Sequence, residues 1–105
     1  MARFHRHAER KARSLLLAEV VWTDRALADL ARAVAYVSEF RPLAAQRLAQ
    51  RLRSAADSLE AEPARGRPIA RGRRELVVIA PYLIRYRLEG DVVKVLEVRH
   101  GARRR

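Results

Sequence analysis

A chain of 105 residues has room for one hydrophobic core and not for two. It contains no cysteine, which excludes disulfides and thiolate metal sites and suits a reducing cytoplasm. Its 23 basic residues, 21 of them arginine, face only 12 acidic ones, and the resulting net charge of +11 calls for an acidic partner, nucleic acid or protein.

Residues 1–18 read as a basic N-terminal extension ahead of a single domain over 19–105. The extension carries Arg3, Arg6, Arg10, Lys11 and Arg13 against Glu9 alone, as a nucleic-acid-binding arm or a dispensable leader would. Its three leucines at 15–17 are too few for a signal peptide, and no apolar run in the chain is long enough for a membrane span. His5 and His7 stand without further ligands nearby, so no metal and no cofactor is expected.

Glu19 to Trp22 reads as a first strand, followed by Thr23 as a helix N-cap with Asp24 in the first turn. Leu27, Leu30, Val34 and Val37 recur at helical spacing, with Ala31 and Ala35 widening the stripe, to a helix end near Glu39. Pro42 suits the first turn of a second helix. Its seam is Ala45, Leu48, Leu52, Ala55 and Leu59, and Pro63 stops it. With so short a link the two helices must form an antiparallel hairpin. Three strands follow: Arg74 to Ile79, Tyr82 to Leu88 after Ala80-Pro81, and Val92 to Arg99 after a Gly90-Asp91 turn. In the middle strand Tyr82, Ile84, Tyr86 and Leu88 share one face and Leu83, Arg85 and Arg87 the other, as in a sheet with helices on one side. The facing of the last strand is open, because its alternation is uneven. The fold class is α+β: an N-terminal strand and an antiparallel helical hairpin packed on a small antiparallel β-sheet.

Several segments then become recognisable. They are Val20-Val21-Trp22-Thr23 leading to Ala26-x-x-Asp29-Leu30; Ala44-Ala45; Leu59 before Pro63; Gly66-Arg67-Pro68; Arg74-Glu75-Leu76-Val77; Pro81-Tyr82-Leu83-Ile84-x-Tyr86; and Val95-Leu96-x-Val98-x-His100-Gly101-Ala102-Arg103. In this order and spacing, over residues 20–103, they resemble the RelE/ParE superfamily of toxins from bacterial type II toxin–antitoxin pairs, closer to the ParE branch. The resemblance implies a cytoplasmic toxin neutralised by a cognate antitoxin, whose disordered and often acidic segment suits a basic surface. It implies contact with operator DNA only through that antitoxin.

Two unlike activities are known in the superfamily. The RelE branch cuts mRNA on the ribosome without a metal, which requires a base near the 2′-hydroxyl, a cation at the phosphate and an acid for the leaving oxygen. The candidates here are Glu75, Arg74, Arg85, His100 and Arg103, with His100 the natural acid or base because its ordinary pKa lies near ~6.5. As structural residues, His100 would fix the end of the last strand and Glu75 would pair with an arginine. Two departures speak against cleavage. Many ribonuclease members carry an arginine just after the tyrosine of the middle strand, where this chain has Leu83. They also often end in an aromatic residue, where this chain ends Arg103-Arg104-Arg105. The ParE branch binds and poisons DNA gyrase, and for that role the target-contacting candidates are Arg99, His100, Arg103, Arg104 and Arg105. An inactive relative retained for binding is the remaining alternative.

Overall fold

The computed structural model describes residues 17–101. Strand β1 (Glu19–Trp22) leads into helix α1 (Asp24–Ser38) and helix α2 (Pro42–Asp57), which ends in a single 3-10 turn, Ser58–Glu60. A two-residue strand β2 (Arg67–Pro68) follows, then β3 (Arg73–Ile79), β4 (Tyr82–Glu89) and β5 (Val92–His100). The five strands form one sheet in the order β1-β5-β4-β3-β2. All neighbours are antiparallel except β1, which lies parallel to β5 at one edge and makes the sheet mixed.

Local chemistry starts each helix. The Thr23 side chain accepts the Ala26 amide at 3.0 Å, satisfying one of the free donors of the first turn of α1. Pro42 opens α2, where its missing N–H costs nothing. The two helices form the expected hairpin and cover one face of the sheet. Between them and the sheet lie Leu30 of α1, Leu48 and Leu52 of α2, and Leu76, Ile84, Tyr86, Val93 and Val95 of the strands. Leu52, Leu59 and Ile84 have no exposed surface, and each contributes roughly 1.5–3 kcal/mol by leaving water.

On α1 Leu30, Val34 and Val37 pack on the core as their spacing predicts, but the stripe is shifted at its other positions. Leu27 is 49% exposed, and Ala31 and Ala35 face solvent; Ala26 and Ala33 pack inward instead. On α2 and its 3-10 turn Ala45, Leu48, Leu52 and Leu59 are buried as their spacing predicts, and Ala55 packs against the core at partial burial beside the fully buried Ala56.

A bulge explains the uneven alternation of β5. Arg85 pairs with Glu97 while Tyr86 pairs with Val95, leaving Leu96 as the extra residue. Val93, Val95 and Val98 can therefore all face the helices although their spacing changes from two to three. A second irregularity leaves Val78 unpaired between Val77 and Ile79, just ahead of the cis Ala80–Pro81 peptide. At the start of the domain Ala18 is buried in the core and donates its amide to the Glu60 carbonyl at 2.9 Å. The basic stretch over 1–16, with His5 and His7, lies outside the described residues.

Candidate functional site

The face of the sheet away from the helices carries a row of alternating charge. Arg67 lies opposite Glu75, Glu75 opposite Arg85, and Arg85 opposite Glu97, so one row crosses β2, β3, β4 and β5. Arg67 Nη2 reaches Glu75 Oε1 at 2.9 Å and Arg85 Nε reaches Glu75 Oε2 at 2.8 Å. Arg85 Nη1 lies 3.7 Å from Glu97 Oε2, and Glu97 is also met by Arg25 at 3.3 Å, Arg99 at 3.2 Å and Arg73 at 3.8 Å. Opposite charges on directly paired residues stabilise a sheet, and two carboxylates hold five guanidiniums in place here.

This geometry fixes the chemistry available to Glu75. The residue is 6% exposed. Burial pushes its carboxyl upward, but the hydrogen bonds and charges of Arg85 and then Arg67 outweigh that, and the net pKa lies below the ordinary glutamate value. A general base at neutral pH works best with a pKa near 7, and Glu75 is moved the opposite way. Both of its oxygens already accept from arginines.

Arg74, next in sequence, points to the other side of the sheet. Its guanidinium donates to the carbonyls of Ala64 at 3.1 Å and Gly66 at 2.6 Å, holding the loop before β2. Arg85 is spent between two carboxylates.

His100 lies at the far end of β5, opposite Tyr82, with the two rings edge-to-face at 5.0 Å. It follows Val98 by two residues and so faces the helix side, whereas Glu75, Arg85 and Glu97 face the open side. Its Nδ1 is buried and has no hydrogen-bond partner among the described residues. The ring borders a cleft of about 530 Å³ that is also lined by Arg32, Tyr36 and Arg99. The sequence-derived candidates thus divide: Glu75 and Arg85 are together, Arg74 is turned away from them, and His100 is across the sheet and three residues further along it than Glu97. Arg103, Arg104 and Arg105 lie outside the described residues. Arg99 is held by Glu97. Among the described residues no group of acidic or histidine side chains could hold a metal ion, and no helix is long and apolar enough to cross a membrane.

Sequence reasoning passed over Glu97 and named Arg67 and Asp29 only within the recognisable segments, without a partner or a role. Asp29 is 7% exposed in the middle of α1, and it accepts the Val98 amide at 3.1 Å while paired with Arg25 and Arg32. A carboxylate set among Ala26, Leu30 and Ala33 was the available signal, since an acid on a packed face needs a partner.

This arrangement of two helices on one face of a five-stranded sheet has clear relatives. Residues 20–105 match the family described as the ParE toxin of the type II toxin-antitoxin system, parDE. Toxin RelE2 of Caulobacter vibrioides is 53% identical over 87 residues, covering 83% of this chain and 99% of that protein. Toxin RelE1 of the same organism is 39% identical over 89 residues, covering 82% and 96%. A solved structure described as the chromosomal ParDE TA system from P. aeruginosa has a chain of the same fold, with a TM-score of 0.73 at 22% identity, covering 80% of this chain and 96% of that one. The chain belongs to the ParE toxin family, within the RelE/ParE superfamily. It is the toxin of a type II toxin–antitoxin pair, and the family implies a cognate antitoxin as its partner.

Proposed function

We propose that this toxin acts by binding DNA gyrase and trapping it on cleaved DNA, without chemistry of its own. The observation that carries this reading is the separation of the groups that RNA cleavage would need. Glu75 and Arg85 are locked together on one face of the sheet and His100 stands on the other. Acid–base catalysis of strand cleavage requires its base, acid and phosphate-binding cation within hydrogen-bond reach of one scissile group. The lowered pKa of Glu75 also makes it a poorer base than an ordinary glutamate. A binder needs none of this, and the cationic end of the chain at Arg99 to Arg105 is its natural contact with the target.

The RelE names of the two Caulobacter relatives favour a second reading, ribosome-dependent cleavage of mRNA. A gyrase assay with purified, antitoxin-free toxin separates the two. Loss of supercoiling with accumulation of covalently cleaved DNA is the expected outcome. Unaffected gyrase together with rapid arrest of translation in a cell-free system moves the function to RNA cleavage.

A further inference from the structure

The positive charge of the described residues is neutralised by carboxylates in some places and not in others: Arg65, Arg71, Arg74 and Arg87 form no ion pair among these residues, and the largest such group lies on one helix. Arg25, Arg32, Arg67, Arg73, Arg85 and Arg99 each pair with Asp29, Glu75 or Glu97. Helix α2 is different. From Phe40 to Ala56 the sequence has no carboxylate, and its four arginines, 41, 47, 51 and 53, are exposed. None of them forms an ion pair among the described residues. On the outer side of the helix, Arg47 and Arg53 line a shallow groove of about 380 Å³ together with the amide side chains of Gln46 and Gln50.

We propose that this outer face of α2 is a contact surface for the phosphate backbone of duplex DNA. Arginine and glutamine are among the side chains that donate to phosphate oxygens, and the face offers both, with a single carboxylate, Asp57, at the last residue of the helix one turn beyond Arg53. At a rise of 1.5 Å per residue, Arg47 and Arg51 stand about 6 Å apart along the helix axis. A DNA strand carries a phosphate about every 3.4 Å of duplex axis, so both guanidiniums reach phosphates of one strand. An acidic protein segment fits less well, because protein interfaces gather their energy at several buried apolar or aromatic anchors. Leu43, 66% exposed, is the one large apolar side chain that α2 presents to solvent. The choice of duplex DNA over RNA rests on the gyrase reading, since a toxin held at gyrase meets duplex on either side of the cut.

The test is fluorescence anisotropy of a labelled 20-base-pair duplex of mixed sequence, titrated with the full chain at a series of salt concentrations and without gyrase. Each phosphate contact contributes about 0.9 to the slope of log affinity against log salt. The triple variant R47Q/R51Q/R53Q is expected to bind more weakly, with that slope shallower by about 2 to 3. R47K/R51K/R53K keeps the slope, and R3Q/R6Q/R10Q, which removes the same charge elsewhere, leaves it unchanged. Equal flattening by the two glutamine triples means that bulk charge alone binds DNA, and the proposal is overturned. It is overturned equally if only the N-terminal triple flattens the slope, or if single-stranded RNA of the same length binds more tightly than the duplex. All three side chains on α2 are exposed, and an unchanged melting temperature checks that the variants fold. Because no gyrase is present, this assay can fail while the gyrase assay succeeds, and the reverse.

Discussion

The Val98 amide of β5 donates to the Asp29 carboxylate of α1 at 3.1 Å, joining residues 69 positions apart. The bond exists because β1 stops short. Its last residue, Trp22, lies opposite Val95, and beyond that point no strand among the described residues lies beside the edge of β5. The start of α1 takes over: the Thr23 amide donates to the Val95 carbonyl at 3.1 Å, the Thr23 hydroxyl donates to the Leu96 carbonyl at 3.3 Å, and Asp29 closes the row. D29A leaves a buried amide without an acceptor and is expected to cost about 1–3 kcal/mol. D29N, whose amide oxygen still accepts, is expected to cost less. Urea denaturation of both variants checks this, and equal losses would show that the ion pairs with Arg25 and Arg32, not the Val98 bond, are what Asp29 provides.

Tyr86 does the corresponding work at the other end of the sheet. Fully buried, it accepts the Gly66 amide at 2.9 Å and donates to the Pro63 carbonyl at 2.7 Å, so the loop between α2 and β2 is closed by one hydroxyl. Y86F is expected to lose about 1–3 kcal/mol, because the buried Gly66 amide loses its acceptor and the Pro63 carbonyl its donor. G66A meets a different obstacle: a Cβ there would stand 2.9 Å from the Tyr86 ring, the Tyr86 hydroxyl and the Glu75 carbonyl. Overpacking of that kind costs about 1–3 kcal/mol. In a domain of this size each variant should lower the melting temperature by several degrees, and an unshifted G66A would mean that the loop can move aside freely.

The elements set by local chemistry were legible in the chain. Thr23 caps α1, Pro42 opens α2, Leu48 and Leu52 face the core, and Gly90-Asp91 turns β4 into β5. What was not legible depends on how distant segments meet. Leu27 has the spacing of a core residue and is exposed, because the sheet docks against the neighbouring side of α1 through Ala26 and Leu30. The facing of β5 could not be read without the bulge at Leu96, which is a property of the β4–β5 pairing. The same holds for the charge row. Glu75 and Arg85 could be noticed separately, but their joining with Arg67 and Glu97 needs the register of four strands. Chemical type picked out Glu75, Arg85 and His100 as candidates; it could not tell that the sheet runs between them.

Acid should act on the charge row first. The pKa of Glu75 is lower in the folded chain than the ordinary value of 4.5, so folding favours its ionised form. The stability that this contributes is complete above the unfolded pKa and is lost as pH falls through the folded one. The urea midpoint of the wild-type chain should therefore decline as the pH drops from about 5 toward 3. E75Q removes the charge at every pH. It should be less stable than wild type at pH 7, and the gap between the two should narrow on acidification. A gap that stays constant down to pH 3 would show that Arg67 and Arg85 do not stabilise the carboxylate.

The basic end of the chain can be cut in two places with different consequences. Arg99 and His100 are inside β5, paired with Leu83 and Tyr82, and the Gly101 amide donates to the Pro81 carbonyl at 2.7 Å. Removing residues 99–105 therefore shortens a central strand, uncovers Tyr82 and Leu83, and should lower stability along with toxicity. Removing only 102–105 takes away Arg103, Arg104 and Arg105 and leaves every one of these pairings. If the arginine tail contacts the target, the shorter deletion abolishes growth arrest on induced expression with the melting temperature unchanged. Full toxicity after that deletion sinks the tail as a contact surface and leaves the described domain to carry the whole of target binding.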